Sequence, residues 1–419
     1  MTSSTLLRGA LVWDGLADAA EAGQEVLVTD GRIVAVGPGI EAPPGTDVVD
    51  LAGHTLTPGF MDCHTHVAVS PDITSAMSSS GAATALRSLP VLETLLRNGF
   101  TTIRDLAAGD PHYATIDLRN AIDAGLVAGP RMLVAPHLLS ARGGHGDFSG
   151  LLADHYQPLN RAMELAAADG PDEIRTRVRQ EIRAGADWIK FGATGGFSSP
   201  SDDPEQITYT QEEMSVLVET ARDLGRPVTP HCYGDEGVRR AVKAGVRSIE
   251  HGNLASADSL KMIEDAGVFL VPTQYTVVND AQMAFDAEHW KRKPRFEQEK
   301  FQKHQSAILS GAEHLAASEV KIAFGTDAGM FPHADNWREF PAMVSHGISE
   351  LRALKAATSV AAEMLGLDNL GVIAEGRIAD LIAMPGNPLT DIEATGRVDF
   401  VMKDGIVHRR PDAESGVPA

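Results

Sequence analysis

His64 and His66 stand two apart at the end of an apolar run, GFMDCHTHV. Residues i and i+2 of a strand face the same way, so the two imidazoles form a chelating pair. Four further side chains of related chemistry close other short apolar runs: Lys190 in DWIKFGA, His231 in PVTPHCY, His251 in RSIEHG and Asp327 in KIAFGTDAG. Imidazole and carboxylate suit zinc and similar divalent ions. Lys190 needs its own account. An unpaired lysine is costly to bury, and beside metal ions it is repelled. Two arrangements answer this. In one, CO2 adds to the amine and the resulting carbamate bridges two metals as an anionic oxygen ligand. In the other, Lys190 forms a salt bridge with Asp327 and the histidines hold a single metal. Asp327 has three open roles: metal ligand, acceptor of a proton from the attacking water, or hydrogen-bond partner of the strand end. Asp62, beside the histidine pair, is expected on the opposite face from His64. Asp105, closing FTTIRDL, is a weaker candidate.

These residues come together only if the runs are parallel strands with their C-terminal ends at one mouth. The middle of the chain supports that. GFMDCHTHV, FTTIRDL, RMLVAPH, DWIKFGA, PVTPHCY, RSIEHG, GVFLVPT and KIAFGTDAG alternate with amphipathic stretches such as DEIRTRVRQEIRAGA and TQEEMSVLVETARDLG. Strand–helix alternation implies a parallel sheet, and eight such units imply an α/β (β/α)8 TIM barrel whose C-terminal face holds the active site. PVLETLLRNG reads as a helix ended by Gly99. The two ends of the chain differ from the middle. Residues 5–57 and the tail GRIADLIAMPGNPL…RVDFVMKDGIVH alternate apolar and polar residues, with Asp-Gly turns in TDGRIVAVG and KDGIVH. Neither end alone has enough strands to bury a face. The expected division is therefore a composite β-sandwich from 1–58 and 367–419 around a barrel of 59–366. Residues 280–303 read either as a cover over the site after the seventh strand or as a solvated mixed-charge helix.

Size and composition bound the partners. The chain has 419 residues, of which 43% are hydrophobic, so it can bury a sizeable core. Its 36 basic and 57 acidic residues give a formal charge of −21, which repels nucleic acid and anionic membrane. Cys63 and Cys232 sit in apolar runs and are expected as buried reduced thiols rather than a disulfide framework. No stretch approaches ~18 consecutive apolar residues, and MTSSTLLRGALVW has no secretory pattern. A cytoplasmic protein is expected.

Taken together, PGFMDCHTH, DWIKFGATGG, PVTPHCYG, SIEHGN and FGTDAG resemble the amidohydrolase superfamily over nearly the whole chain. The order HxH, Lys, His, His, Asp resembles its binuclear branch. The resemblance implies two divalent ions, zinc expected. His64, His66 and Asp327 would hold one, His231 and His251 the other, and N6-carboxylated Lys190 would bridge them. Within the superfamily the chain looks like the Xaa-Pro dipeptidase (prolidase) and ochratoxinase-like group. The 41-residue step from Lys190 to His231 and the 20-residue step on to His251 fit that group. Such an enzyme uses a metal-bridging hydroxide to cleave the amide bond of N-acyl amino acids or dipeptides with a free C-terminal carboxylate. The alternative is a cyclic amide or lactone hydrolase, such as an imidazolonepropionase-like enzyme, although the lysine counts against that relative. Family likeness also implies a homo-oligomer acting on a small molecule.

Position nominates the substrate contacts. Tyr233 shares a strand face with His231, and relatives use a tyrosine there for the substrate carboxylate. In PHLLSARGGHGDF, His137 or His145 is expected to polarise the scissile carbonyl or bind the carboxylate. His145 is favoured because Gly143, Gly144 and Gly146 let the backbone bring it inward. Arg142 is either a carboxylate clamp or a surface residue. Met283, Phe285, Trp290 and Phe296 are either an apolar lid or ordinary packing.

Overall fold

The structure, a computed structural model, describes residues 4–69, 79–108, 112–147 and 166–411. Residues from the two ends of the chain are interleaved. A four-stranded sheet runs in the order β4 (Arg32–Gly37), β3 (Glu25–Thr29), β1 (Ser4–Arg8), β5 (Asp47–Asp50). A five-stranded sheet runs β17 (Ile406–Arg409), β16 (Phe400–Lys403), β15 (Leu381–Pro385), β6 (His54–Pro58), β2 (Leu11–Val12). Its central pairing, Leu381 opposite Pro58 through Pro385 opposite His54, joins tail to head. Leu7, Val26, Ile33 and Leu56 share one buried cluster with Ile373, Leu381, Phe400 and Met402. Both Asp-Gly signals form tight turns. Asp30 and Gly31 have φ of 48° and 79°, and Asp404 and Gly405 have 52° and 75°. Paired positive φ values are what a two-residue hairpin loop demands.

The middle of the chain is parallel. One sheet is β7 (Phe60–Thr65), β8 (Phe100–Leu106), β9 (Arg131–Ala135). The other is β10 (Leu138–Leu139), β11 (Ile189–Gly192), β12 (Val228–Gly234), β13 (Ser248–Leu254), β14 (Phe269–Val271). Asp187 and Trp188 donate their N–H groups to Val134 O and so connect the two. Helices fill most of the intervals: α1 (Gly81–Arg97), α2 (Ala114–Asp123), α3 (Gly170–Ala184), α4 (Gln211–Asp223), α5 (Asp235–Ala244) and α6 (Ala257–Asp265). After β14 come α7 (Gln274–Gln282), α8 (Ala287–Trp290) and α9 (Arg295–Ala317), then α10 (Glu339–Ser345), α11 (Glu350–Ala356) and α12 (Ser359–Leu365). Local signals explain several ends. Thr210 and Glu213 form a capping box on α4. Gly99, at φ 91°, follows the last turn of α1 as expected.

Two expected strands come out differently. GVFLVPT shortens to three residues, because Pro272 has no N–H and Thr273 turns to φ 45° ahead of α7. KIAFGTDAG is not a regular strand. It makes isolated parallel bridges, Ile322 to Leu270 and Ala328 to Thr65. Its hydrogen bonds still span β14 and β7: Leu270 N to Lys321 O, Cys63 N to Phe324 O and Asp327 N to His64 O, the last at 2.8 Å. The left-handed φ of 62° at Asp327 interrupts the ladder.

Arg131 ties the parallel region to the terminal strands. Its guanidinium meets Asp380 at 2.7 Å, and it also pairs with Asp404. The Asp380 side chain is only 3% exposed. Arg131→Met should lower unfolding stability by about 3 kcal/mol, the lower end for breaking a buried pair. Urea denaturation followed by tryptophan fluorescence measures it, and a loss under ~1 kcal/mol would mean that the pair is effectively solvated.

Candidate metal centre and substrate site

The first candidate group is assembled by β7 and residues 325–329. His64, His66 and Asp327 offer donor atoms that all lie within 4.8 Å of one another. Asp327 Oδ1 is 3.1 Å from His66 Nε2 and 3.4 Å from His64 Nε2. Glycines on either side make this approach possible. A Cβ at Gly325 would lie 2.9 Å from His64 Cβ, and one at Gly329 would lie 2.7 Å from His66 Cβ. The other ring nitrogens are already committed. His66 Nδ1 lies 3.0 Å from Ala107 O, and His64 Nδ1 lies 2.8 Å from Glu250 Oε2. Each Nδ1–H therefore donates, and each Nε2 is left as the free lone pair toward Asp327.

Glu250 is the residue that sequence reasoning missed. It is fully buried and accepts from Arg104 Nη2 (2.6 Å), Thr229 Oγ1 (2.5 Å) and Ser248 Oγ (3.1 Å), besides His64. Arg104, equally buried, also donates to Cys63 O at 2.6 Å and lies over the Trp188 ring. The available signal was a charged residue inside each of two apolar runs, FTTIRDL and RSIEHG.

The second group is His231 with His251. His251 Nδ1 is 2.8 Å from Thr273 Oγ1, and His251 Nε2 is 3.1 Å from His231 Nδ1. The two imidazole nitrogens are within hydrogen-bond distance of each other. The remaining nitrogen, His231 Nε2, is buried with no hydrogen-bond partner. His251, like Asp327, holds a left-handed φ, here 70°. Such strain persists where the surroundings over-determine it and clusters at functional sites.

Lys190 lies between the groups. Its Nζ is 3.1 Å from His64 Nε2 and donates to Leu106 O at 3.2 Å. Among the described residues it pairs with no carboxylate, so the salt bridge to Asp327 considered from sequence is not formed. Burial lowers its pKa to about 8. Burial also pushes His64 and His231 well below the usual imidazole range and His251 down to about 3, so all three are neutral and able to ligate. Burial alone would raise the Asp327 carboxyl, but the His64 and His66 imidazoles beside it outweigh that and hold it below the usual carboxylate range.

Around this centre the substrate candidates separate. Tyr233 stacks on His251 with ring centroids 4.5 Å apart and meets the His231 ring edge-on at 4.9 Å. Burial raises its pKa well above the usual phenol value, so it remains an O–H donor. His145 stacks on His231 at 4.1 Å. His137 is committed elsewhere, 3.0 Å from Glu181 and 3.2 Å from Arg177. Arg142 is an exposed partner of Asp169 and Glu173, so the clamp reading falls. Asp105 accepts from Val67 N at 2.8 Å, which braces the loop after β7. The expectation that Asp62 faces away from His64 is also wrong, since a two-residue spacing gives both the same face. Asp62 sits deeper and accepts from His64 N, Thr326 N, Thr326 Oγ1 and Asn336 Nδ2. Trp290 is buried with Phe301 and Tyr233 in one cluster, whereas Phe285 is exposed. Cys63 and Cys232 are buried free thiols.

Residues 55–407 match the amidohydrolase family. The chain is 32% identical over 379 residues to ochratoxinase of Aspergillus niger, covering 85% of this chain and 76% of that protein. Among solved structures, a Xaa-Pro dipeptidase with methionine bound in its active site superposes with TM-score 0.87 at 32% identity, covering 97% of this chain and all of that one. A prolidase in complex with N-methylphosphonate-L-proline superposes at 0.86 with 35% identity, over 98% of this chain and all of the other.

The Glu250 contact sets the tautomer of His64. In Glu250→Gln the amide NH2 would donate to Nδ1 and move the proton to Nε2. Chelator competition should then show metal affinity about 10–100-fold weaker, with circular dichroism unchanged. Unaltered affinity would mean that the tautomer is set elsewhere.

Proposed function

The chain belongs to the amidohydrolase family, and from that premise we propose that it cleaves the amide bond of N-acyl amino acids or dipeptides that keep a free C-terminal carboxylate. Hydrolysis of an amide bond is the coarse activity that its family and relatives give it. Likeness to the solved structures gives it an α/β fold of the TIM-barrel type. We read the two parallel sheets, linked through residues 321–328, as a (β/α)8 barrel of 59–366. The terminal strands we read as a small β-sandwich from 1–58 and 367–419.

The observation that carries the proposal is the pairing of two ligand groups with a buried lysine that, among the described residues, forms no ion pair and lies 3.1 Å from His64 Nε2. His64, His66 and Asp327 would hold one divalent ion and His231 with His251 a second. Lys190, once carboxylated, would bridge them. Addition of CO2 to the neutral amine releases a proton and replaces a costly buried cation by an anionic oxygen donor. The lowered pKa near 8 makes that neutral amine accessible at ordinary pH. The imidazole and carboxylate set suits zinc. Bound ions of this kind polarise the scissile carbonyl and lower the pKa of water.

The protein's own groups do the rest. Asp327 is ionised and takes the proton from the attacking water, then returns it to the leaving amine. Tyr233, held protonated by burial, donates to the substrate carboxylate. His145, whose Nδ1 is 2.9 Å from Ser199 Oγ, keeps Nε2 for the substrate. These local donors meet an anionic substrate in a protein of formal charge −21. Nucleic acid and anionic membrane are unsuitable partners for that charge, and among the described residues no helix is long and apolar enough to cross a membrane. A cytoplasmic homo-oligomer completes the proposal.

Protein purified without chelator should contain about two divalent ions per chain, since the donors exceed one open tetrahedral site. Lys190→Ala should lose metal and activity together, and short carboxylic acids with bicarbonate should restore part of both. Elemental analysis decides, and a steady one ion per chain at full activity sinks the bridging lysine.

Substrate polarity gives the second test. N-acyl amino acids and dipeptides should be cleaved, Xaa-Pro and aromatic C-termini among them, with little turnover of the same compounds as C-terminal amides. Tyr233→Phe should raise KM more than it lowers kcat, because the lost contact is made in both ground and transition states. Equal turnover of acid and amide would reject carboxylate recognition and favour cyclic amide or lactone hydrolysis.

A further inference from the structure

Away from the candidate centre, one stretch of α9 grips the loop that follows β11. Lys300 Nζ donates to the carbonyl oxygens of Gly196 (2.6 Å) and Ser199 (2.5 Å) and to Asp202 Oδ1 (3.1 Å). Phe301 stacks on Phe197 with ring centroids 4.2 Å apart. Within the same turn, Lys303 meets Asp203 at 2.6 Å and His304 meets it at 3.2 Å. The gripped loop in turn holds His145. Nδ1 of that ring is 2.9 Å from Ser199 Oγ and 3.3 Å from Asp202 Oδ2. Ser199 Oγ also donates to Asp202 Oδ1. A Cβ at Gly196 would lie 2.3 Å from His145 Cε1, so the loop backbone presses directly on the imidazole.

The charges make Lys300 more than a brace. The Asp202 side chain is 1% exposed and that of Lys300 is 12% exposed. A carboxylate so removed from water stays ionised only with hydrogen-bond donors or cations close by. Lys300 is the lysine or arginine paired with it among the described residues. Removing its ammonium takes that donor from two carbonyl oxygens and leaves Asp202 Oδ1 with Gly196 N and Ser199 Oγ alone, all on the loop that fixes His145.

We propose that Lys300 is a positioning residue which, through Asp202 and the backbone of residues 196–199, holds the His145 imidazole over His231 and so sets how tightly substrate is bound. This rests on the reading above that His145 contacts the substrate.

Lys300→Met keeps the stem and the Phe301–Phe197 stack but removes the three donated bonds. Its KM should rise more than kcat falls, and kcat/KM should drop by up to about 10²-fold, the scale of an ångström-sized misplacement. Lys300→Arg, which keeps the charge and the donors, should recover much of that loss. In a His145→Ala background, Lys300→Met should change kcat/KM by less than about twofold, since residues acting through one partner are not additive. An equal loss with and without His145 would overturn the proposal. If His145→Ala alone leaves KM and kcat unchanged, the substrate contact is what fails. The crystal structure of Lys300→Met then judges positioning by itself: a ring displaced from His231 supports it, and a ring still stacked there overturns it. Should Lys300→Met fail to fold, Lys300→Gln undergoes the same comparisons.

Discussion

A carboxylate sealed from water has to be matched group by group, and Glu250 is where this molecule does so. Four partners surround it: Arg104 from β8, Thr229 from β12, Ser248 from β13 and His64 from β7. No single strand supplies this set, so the network forms only when the parallel strands are in register. Breaking one partner of a buried pair typically costs about 3–5 kcal/mol. The same contact fixes which nitrogen of His64 carries its proton. Core stability and the chemistry of the centre therefore depend on one side chain.

Backbone conformation supplies the second constraint. Thr273, His251 and Asp327 all adopt positive φ without being glycine. Each such residue costs of order 1 kcal/mol or more. The strain is held by contacts at close range: Thr273 to His251, His64 O to Asp327 N, and the neighbouring glycines that let residues 325–329 press on both histidines. A regular eighth strand would relieve the strain at Asp327. It would also redirect the carboxylate away from His64 and His66.

A third layer lies outside the ligands. Tyr233 belongs to the aromatic cluster of Phe197, Trp290 and Phe301, while His145 is backed by Asp202 and Ser199. The residues after β14, which from sequence were open between a cover and a solvated helix, thus face inward through Trp290 and Phe301 and outward through Phe285.

Features that depend on residue type and short spacing were legible before any contact was known. The i, i+2 rule paired His64 with His66, the Asp-Gly turns placed two hairpins, and apolar runs between amphipathic ones announced parallel strands. The convergence of Lys190, His231, His251 and Asp327 followed from one assumption, that their strands share a direction. Tertiary structure decided everything carried by contacts between distant residues. Glu250 is 186 residues from His64, and Lys300 is 98 from Asp202. No local pattern encodes such pairs, because their energy arises only once water is excluded and a charge must find a counterpart. For the same reason His145 and His137, alike in sequence as loop histidines, parted: one was laid on His231, the other consumed by Glu181.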